Sequence, residues 1–275
     1  TPMLELNHFY GDGIKARILA KLELYNPTSV KDRGMYFMIE AAVKSGEITS
    51  DTEVVEASSG NTGIALARAA AIMGFKARVY MSESCSVERL RIMSAFGAKL
   101  VLTPGAEHTR GARDRAIAYC VANPEKTFFL NQHGNANNGR AHELTTGPEI
   151  WEQTKGDLAA VVIGLGTGGT FDGLSRYFKS KNKNIQIIGF EPAASPVYSG
   201  GKQGVHHIIG IGPGFVTDNF KRSEQHLDEI IPVTDQDAFE YTRLLAKRMG
   251  ILVGLTSGAA AWVAGEVAKR GHFEG

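Results

Sequence analysis

The side chains of this chain that could do chemistry come in short clusters, and the first is Asn26-Pro27-Thr28-Ser29-Val30-Lys31-Asp32-Arg33. It puts an amine on the first turn of a helix beneath a short polar loop, and a lysine held in that way is a candidate covalent nucleophile. The same residues also read as a capping box, with Ser29 capping, Asp32 answering three residues later, and an apolar run through Met35, Phe37, Met38 and Ile39. The box explains Ser29 and Asp32 and leaves Lys31 a solvated charge.

Three further clusters are glycine-containing turns. Glu56-Ala57-Ser58-Ser59-Gly60-Asn61-Thr62-Gly63 follows a strand pattern and opens a helix pattern, a geometry that aims backbone N–H groups and the positive end of a helix dipole at an anion. A plain N-cap by Ser59 or Asn61 would need one such side chain, whereas several small polar positions stand in a row. Gly164-Leu165-Gly166-Thr167-Gly168-Gly169-Thr170 has the same context. Gly164, Gly166 and Gly169 fit the dinucleotide fingerprint, with Glu191 at the end of the next strand as the ribose partner. The position past mid-chain and the two threonines suit a terminal phosphate instead. Gly254-Leu255-Thr256-Ser257-Gly258 reads, by itself, as a helix cap.

The elements that must position these turns alternate short β-branched runs with longer helical ones, the pattern of βαβ units and parallel sheets. Strands are expected at 52–57, 77–81, 99–102 and 127–130, with helices at 62–73, 86–96 and 110–122. A second series has a helix at 141–151, a strand at 159–164, a helix at 171–178 and a strand at 185–190. After an irregular glycine- and proline-rich stretch from 191 to 220 come a strand at 229–233, a helix at 235–249 and a last helix from Gly258 onward. The irregular stretch is long for a compact domain and reads as a functional loop.

Composition restricts the function classes. The 275 residues are 43% hydrophobic and 21% charged, enough for one large core or two smaller ones. Thirty basic against 29 acidic residues give a net charge of +1 without long runs of one sign, which argues against nucleic acid and membrane surfaces as partners and for small neutral or zwitterionic ones. Cys85 and Cys120 form no metal-type or redox-type pair, no metal set is visible, and nothing near the start resembles a signal peptide, so a reducing, cytoplasmic setting is expected. The longest apolar stretch, 158–165, falls short of the roughly 20 residues of a spanning helix.

Taken together, in order and over nearly the whole chain, these segments resemble the fold type II pyridoxal-phosphate enzymes, and within them the cysteine synthase (O-acetylserine sulfhydrylase) family with its relative cystathionine β-synthase. The resemblance is carried by Thr1-Pro2, Asn26 to Arg33, Ser59 to Gly63, Gln132, His142 through Thr145-Thr146-Gly147-Pro148-Glu149-Ile150-Trp151, Gly166 to Thr170, Glu191-Pro192, Ser195 to Gly201, Gly210-Ile211-Gly212, and Ser257 to Ala260. It departs from the family at Ser58, His133, Pro213 and Thr256, and in a loop before Lys31 one residue short. Both ends read as trimmed, with a helix expected before Thr1 and a strand after Gly275.

The resemblance implies two parallel-sheet α/β domains with helices on both faces, like the tryptophan synthase β fold. One is a smaller, mobile domain over 35–134 that carries a substrate-carboxylate loop; the other is a larger domain over 1–34 and 135–275 that carries a phosphate loop. It implies pyridoxal 5'-phosphate as cofactor, with Lys31 as its covalent anchor and catalytic base. Asn61 would bind the 3'-oxygen, Gly166, Thr167, Gly168, Gly169 and Thr170 the phosphate, and Thr256 the pyridine nitrogen, while Ser58, Ser59, Gly60, Thr62 and Gln132 would bind the amino acid's carboxylate. A neutral hydroxyl at the ring nitrogen makes the ring a poorer electron sink and favours β-elimination over transamination.

The implied reaction makes L-cysteine from O-acetyl-L-serine and sulfide through an enzyme-bound aminoacrylate. The alternatives on the same fold are a cystathionine- or lanthionine-type β-synthase, a phosphoserine sulfhydrylase and a 2,3-diaminopropionate-type synthase; heme is not implied. A homodimer is the family's usual state. A role as partner of a serine acetyltransferase is open to the family but supported by no residue here.

Overall fold

The computed structural model describes residues 1–11, 13–271 and 273. Along the chain the elements are β1 (Met3–Glu5), α1 (Asn7–Tyr10), β2 (Leu19–Lys21), α2 (Lys31–Lys44), β3 (Glu53–Ala57), α3 (Asn61–Met73), β4 (Lys76–Ser82), α4 (Val87–Ala95), β5 (Lys99–Thr103), α5 (His108–Ala122), β6 (Thr127–Phe129) and α6 (Ala136–Ala141). After a π-helical turn at His142–Thr146 follow α7 (Gly147–Gln153), β7 (Ala160–Gly164), α8 (Gly169–Lys181), β8 (Gln186–Pro192), α9 (Asp218–Lys221), β9 (Glu229–Val233), α10 (Asp235–Met249) and α11 (Leu255–Ala268). By internal packing the chain divides into two compact units, 26–141 and 1–25 with 142–275.

In the unit 26–141 the parallel sheet has the order β5-β4-β3-β6. Its central strands β3 and β4 are buried on both faces, which is why Val54-Val55 and Val79-Tyr80-Met81 read as apolar runs rather than alternating ones. Val54, Val79 and Met81 pack with α2, α3 and Met93 of α4, while Val55, Ala57 and Tyr80 pack with Ala112 and Ala116 of α5 on the opposite face. Helix α3 ends where Gly74 takes a left-handed conformation and returns its N–H to Ala70 O. Boundaries of 26 and 141, against the expected 35 and 134, follow from the packing of α6 on α2: Asn138 lies against Gly34 and donates Nδ2 to Gln132 O at 2.8 Å.

In the other unit the parallel sheet β7-β8-β9 is covered on both faces. Ile187 joins Phe171, Leu174 and Phe178 of α8 on one side, and Ile188 and Phe190 join Ile231, Val233, Ala259 and Val263 on the other. Residue 187 thus takes the face opposite to 188 and 190, as the period of a strand requires. Thr234 caps α10 by accepting from Asp237 N, and Gly250 closes it in the left-handed region.

Three departures from the expected elements have physical causes. The helix expected over 141–151 is broken into α6, the π turn and α7, because Pro148 in the first turn of α7 has no N–H to continue the ladder. The antiparallel pair β1–β2 has no counterpart among the expected strands; three residues each are too few for a periodic signal. The last helix begins at Leu255 rather than Gly258. Among the described residues, no helix is long and apolar enough to cross a membrane.

Candidate active site

In the unit 26–141 the strand order reverses at β3: its chain successor β4 lies on one side and β6 on the other. Ligands of open α/β sheets bind at such a switch point, beyond the carboxyl ends of the strands. Ala57 ends β3 there, followed by Ser58 to Thr62, and Phe129 ends β6, followed three residues later by Gln132. The structure therefore brings Ser58, Ser59, Gly60, Thr62 and Gln132 together in space. Thr62 Oγ1 donates to Gln132 Oε1 at 2.6 Å, Gln132 Nε2 donates to Ala57 O at 3.4 Å, and both side chains are buried.

No side chain caps α3, so the plain-cap reading of Ser59 or Asn61 does not hold. Ser58 Oγ accepts from Gly60 N at 3.2 Å and Ser59 Oγ from Ser82 N at 3.3 Å, while Arg89 Nη1 donates to Ser59 O at 3.4 Å. Gly60 holds the N-cap position in an extended conformation and Asn61 is the exposed first residue of the helix. An uncapped helix start at a switch point is an anion-binding geometry.

Lys31 is the first residue of α2, partly buried, in the same unit. Only half of the expected box forms: the Asp32 carboxylate accepts from Thr28 N at 2.6 Å and Ser29 N at 3.1 Å, whereas Val30 holds the N-cap position without a side-chain cap and Ser29 Oγ accepts from Lys31 N at 3.2 Å. Turn and amine thus coexist, since the carboxylate and hydroxyl fix the turn through backbone N–H groups.

In the other unit, Gly166 to Thr170 lead from β7 into α8, again without a side-chain cap. Gly168 has φ +80, and a Cβ on it would lie 2.6 Å from Phe220 N; a Cβ on Gly166 would lie 2.5 Å from Gly210 O. Only glycine allows this close approach of backbone to backbone. The turn is braced from behind. Tyr198 Oη donates to Gly166 O at 2.7 Å, Asn219 Nδ2 donates to Thr167 O at 3.1 Å, and His142 Nε2 lies 3.2 Å from Thr170 Oγ1 with its Nδ1 2.9 Å from Thr146 Oγ1.

Asp172, fully buried in the first turn of α8, accepts from Ser223 Oγ at 2.5 Å and is paired with Arg176 at 3.1 Å. Those partners hold its charge away from an anion at the helix start. The donors of this turn, backbone N–H groups at a helix N-terminus and threonine hydroxyls, fit a phosphate.

Glu191 is not a ribose partner. It is fully buried and its carboxylate accepts from Tyr198 N at 2.8 Å, Ser199 N at 2.9 Å and Ser199 Oγ at 2.5 Å, which commits it to shaping the loop that carries Tyr198. The dinucleotide reading fails on that residue. Thr256 is not a cap either: Gly254 holds that position, and Thr256 Oγ1 donates to Ile209 O at 2.7 Å. Through the segment 209–210, which meets both Thr256 and Gly166, the structure brings these two residues together in one unit. His206 and His207 diverge, Nε2 of the first lying 3.1 Å from Gly212 O and Nδ1 of the second 2.7 Å from Asp235.

The residues that sequence reasoning missed as parts of the site are the braces: Tyr198, Asn219 and Asp172. Each acts across dozens of residues, so no local spacing marks it.

Comparison with known proteins agrees with this geometry. The whole chain, residues 1–275, matches the family described as pyridoxal-phosphate dependent enzyme. It is 44% identical over 269 residues to cysteine synthase A of Escherichia coli (strain K12), covering 94% of this chain and 81% of that protein. The crystal structure of the cysteine synthase of Entamoeba histolytica superposes with a TM-score of 0.95 at 42% identity, over 100% of this chain and 82% of that one. The O-acetylserine-dependent cystathionine β-synthase of Helicobacter pylori gives 0.92 at 38% identity, over 98% of this chain and 88% of that one. Two glycine turns opening uncapped helices, a lysine on the first turn of a helix and a match along the whole length converge on one conclusion: the chain belongs to the family of pyridoxal-phosphate-dependent enzymes.

Proposed function

We propose that this chain is a cysteine synthase that makes L-cysteine from O-acetyl-L-serine and sulfide by β-replacement. Bound pyridoxal phosphate supplies the electron sink for the pair left when an amino acid loses its α-proton. The observation that carries the reading is the pair of uncapped helix starts, one after β3 and one after β7, whose donors suit a carboxylate and a phosphate respectively.

Gly166, Thr167, Gly168, Gly169 and Thr170 would hold the cofactor's phosphate, Asn61 would meet its 3'-oxygen, and Thr256 would turn its hydroxyl proton from Ile209 O to the ring nitrogen. Lys31 Nζ would anchor it at rest and, once released by the incoming substrate amine, would take the substrate's α-proton and hold it while the β-substituent leaves. Ser58, Ser59, Gly60, Thr62 and Gln132 bind the substrate's carboxylate and so orient the α-carbon hydrogen toward the Lys31 amine. The unit that carries this turn is the mobile one, the enzyme is a cytoplasmic homodimer, and its small-molecule partners are the amino acid and sulfide.

The test is a donor and acceptor panel on the purified protein loaded with cofactor: O-acetyl-L-serine, L-serine and O-phospho-L-serine as donors, sulfide and L-homocysteine as acceptors, products separated by chromatography. Cysteine from O-acetylserine and sulfide as the preferred pair is the expected result. The Helicobacter pylori relative, whose description names the same donor with cystathionine formation, supports the second reading, in which homocysteine is the better acceptor. Preference for phosphoserine, or no turnover with any donor, would refute the proposal. Light scattering of the purified protein checks the dimer.

A further inference from the structure

Glu56 has no role in the reaction as described above, yet it is 1% exposed and stands two residues before the carboxylate turn. Its two oxygens serve different strand ends: Oε1 accepts from Ala57 N at 2.8 Å and Oε2 from Gln132 N at 2.9 Å. One carboxylate thereby ties the carboxyl end of β3 to the segment after β6, the two sides of the switch point. Gln132 is held at its other backbone atom by Asn138 and at its amide by Thr62 and Ala57, and Glu56 adds the bond that fixes its N–H.

We propose that Glu56 is a positioning residue for the substrate's carboxylate: its ionised side chain holds Ala57 N–H and Gln132 N–H, and through them sets the Ser58–Thr62 turn and the Gln132 amide. The proposal rests on the reading that this turn binds the carboxylate.

Ionisation decides the clamp. A carboxylate accepts from both N–H groups, whereas the protonated acid carries a donor that must face one of them or turn away. Burial pushes the Glu56 acid up to about 7, against the N–H groups of Gln132 and Ala57 and the charge of Arg113, which favour the ionised form. Titratable groups on the surrounding elements include Tyr119 and Cys120 of α5, Arg78 and Tyr80 of β4, Arg68 of α3, and Lys31, Asp32 and Arg33 at the start of α2; β6 has none. The clamp is therefore complete on the alkaline side of neutrality and loosens on the acid side.

The test uses the holoenzyme and L-alanine, an amino acid without a β-leaving group, with binding followed by the cofactor's absorbance. Glu56→Gln should weaken L-alanine about 10- to 100-fold at pH 8, the range for losing a hydrogen bond to a charged group, and leave cofactor affinity unchanged. Glu56→Asp should fall between the two, and the ratio of wild-type to Glu56→Gln affinity should shrink from pH 8 to pH 6. Thr62→Val and Gln132→Ala serve as references. If they weaken L-alanine and Glu56→Gln does not, the proposal is wrong and the carboxylate reading stands. If none of the three weakens it, the carboxylate reading itself fails and the proposal with it. Should Glu56→Gln not fold, the wild-type amides of Ala57 and Gln132 provide the measurement: their NMR shifts must titrate together near neutrality, and flat profiles would overturn the clamp.

Discussion

Replacing Gly168 by alanine attacks the proposed phosphate turn at the place where the backbone leaves no room. The added Cβ meets two costs. At φ +80 an L-residue is strained by about 1–2 kcal/mol, and contacts of 2.6 Å to Phe220 N and 2.7 Å to Thr217 Oγ1 force a shift worth about 1–3 kcal/mol of overpacking. The total is about 2–5 kcal/mol. Gly250→Ala isolates the first cost, because Gly250 has φ +67 and nothing within 4 Å of its would-be Cβ, and it lies in the same unit.

The assay is cofactor titration by absorbance together with urea denaturation of both variants. Gly250→Ala should lose about 1–2 kcal/mol of stability and bind pyridoxal phosphate as the wild type does. Gly168→Ala should lose more and bind the cofactor at least tenfold more weakly, since Thr167 and Gly169 on either side must move. Equal stability of the two variants with unchanged cofactor affinity in Gly168→Ala would show that this turn neither is packed as described nor holds the phosphate.

Lys31→Ala should fold and bind cofactor without covalent attachment; a borohydride-reduced digest of the wild type with the pyridoxyl group on any other lysine would remove the assignment. Glu56 makes folding stability depend on pH: its folded value of about 7 lies above the roughly 4.3 of an unfolded glutamate, so its contribution is complete below about pH 4 and is lost as the pH rises to 7. Glu56→Gln should flatten that part of the stability profile in urea titrations, and a profile identical to the wild type's would contradict the burial. At the far end of β3, burial raises the Glu53 acid but the bonds from Arg78 at 2.8 Å and Tyr119 at 2.8 Å outweigh it and hold it below the usual range. Arg78→Leu should therefore cost about 1–3 kcal/mol at neutral pH and less as the pH falls through the Glu53 titration, which thermal melts at several pH values will show. Saturating L-alanine should raise hydrogen-exchange protection in the Ser58–Thr62 turn and within 84–127; unchanged protection in the turn would place the carboxylate elsewhere.

The sequence by itself determined the local features. Parallel strands are apolar on both faces, so β3, β4, β7 and β8 were legible as runs, and Gly74, Gly250, Thr234 and Ser86 mark helix ends because capping involves neighbours only three or four residues away. The order of the glycine turns along the chain was enough to suggest the family. Tertiary structure decided what those turns are for. Glu191 stands where a ribose-binding acid would, and only its three bonds to Tyr198 and Ser199 show that it is spent on a loop. Thr256 looks like a cap until Ile209, 47 residues away, claims its proton. Glu56 is one more polar residue near a turn until β6 arrives beside β3 and delivers Gln132 N–H from 76 residues further on. A side chain's local role is bounded by the reach of one helical turn and can be read from spacing. A buried polar side chain must instead be satisfied by whatever the sheet order brings to it, and that order exists only in the folded chain.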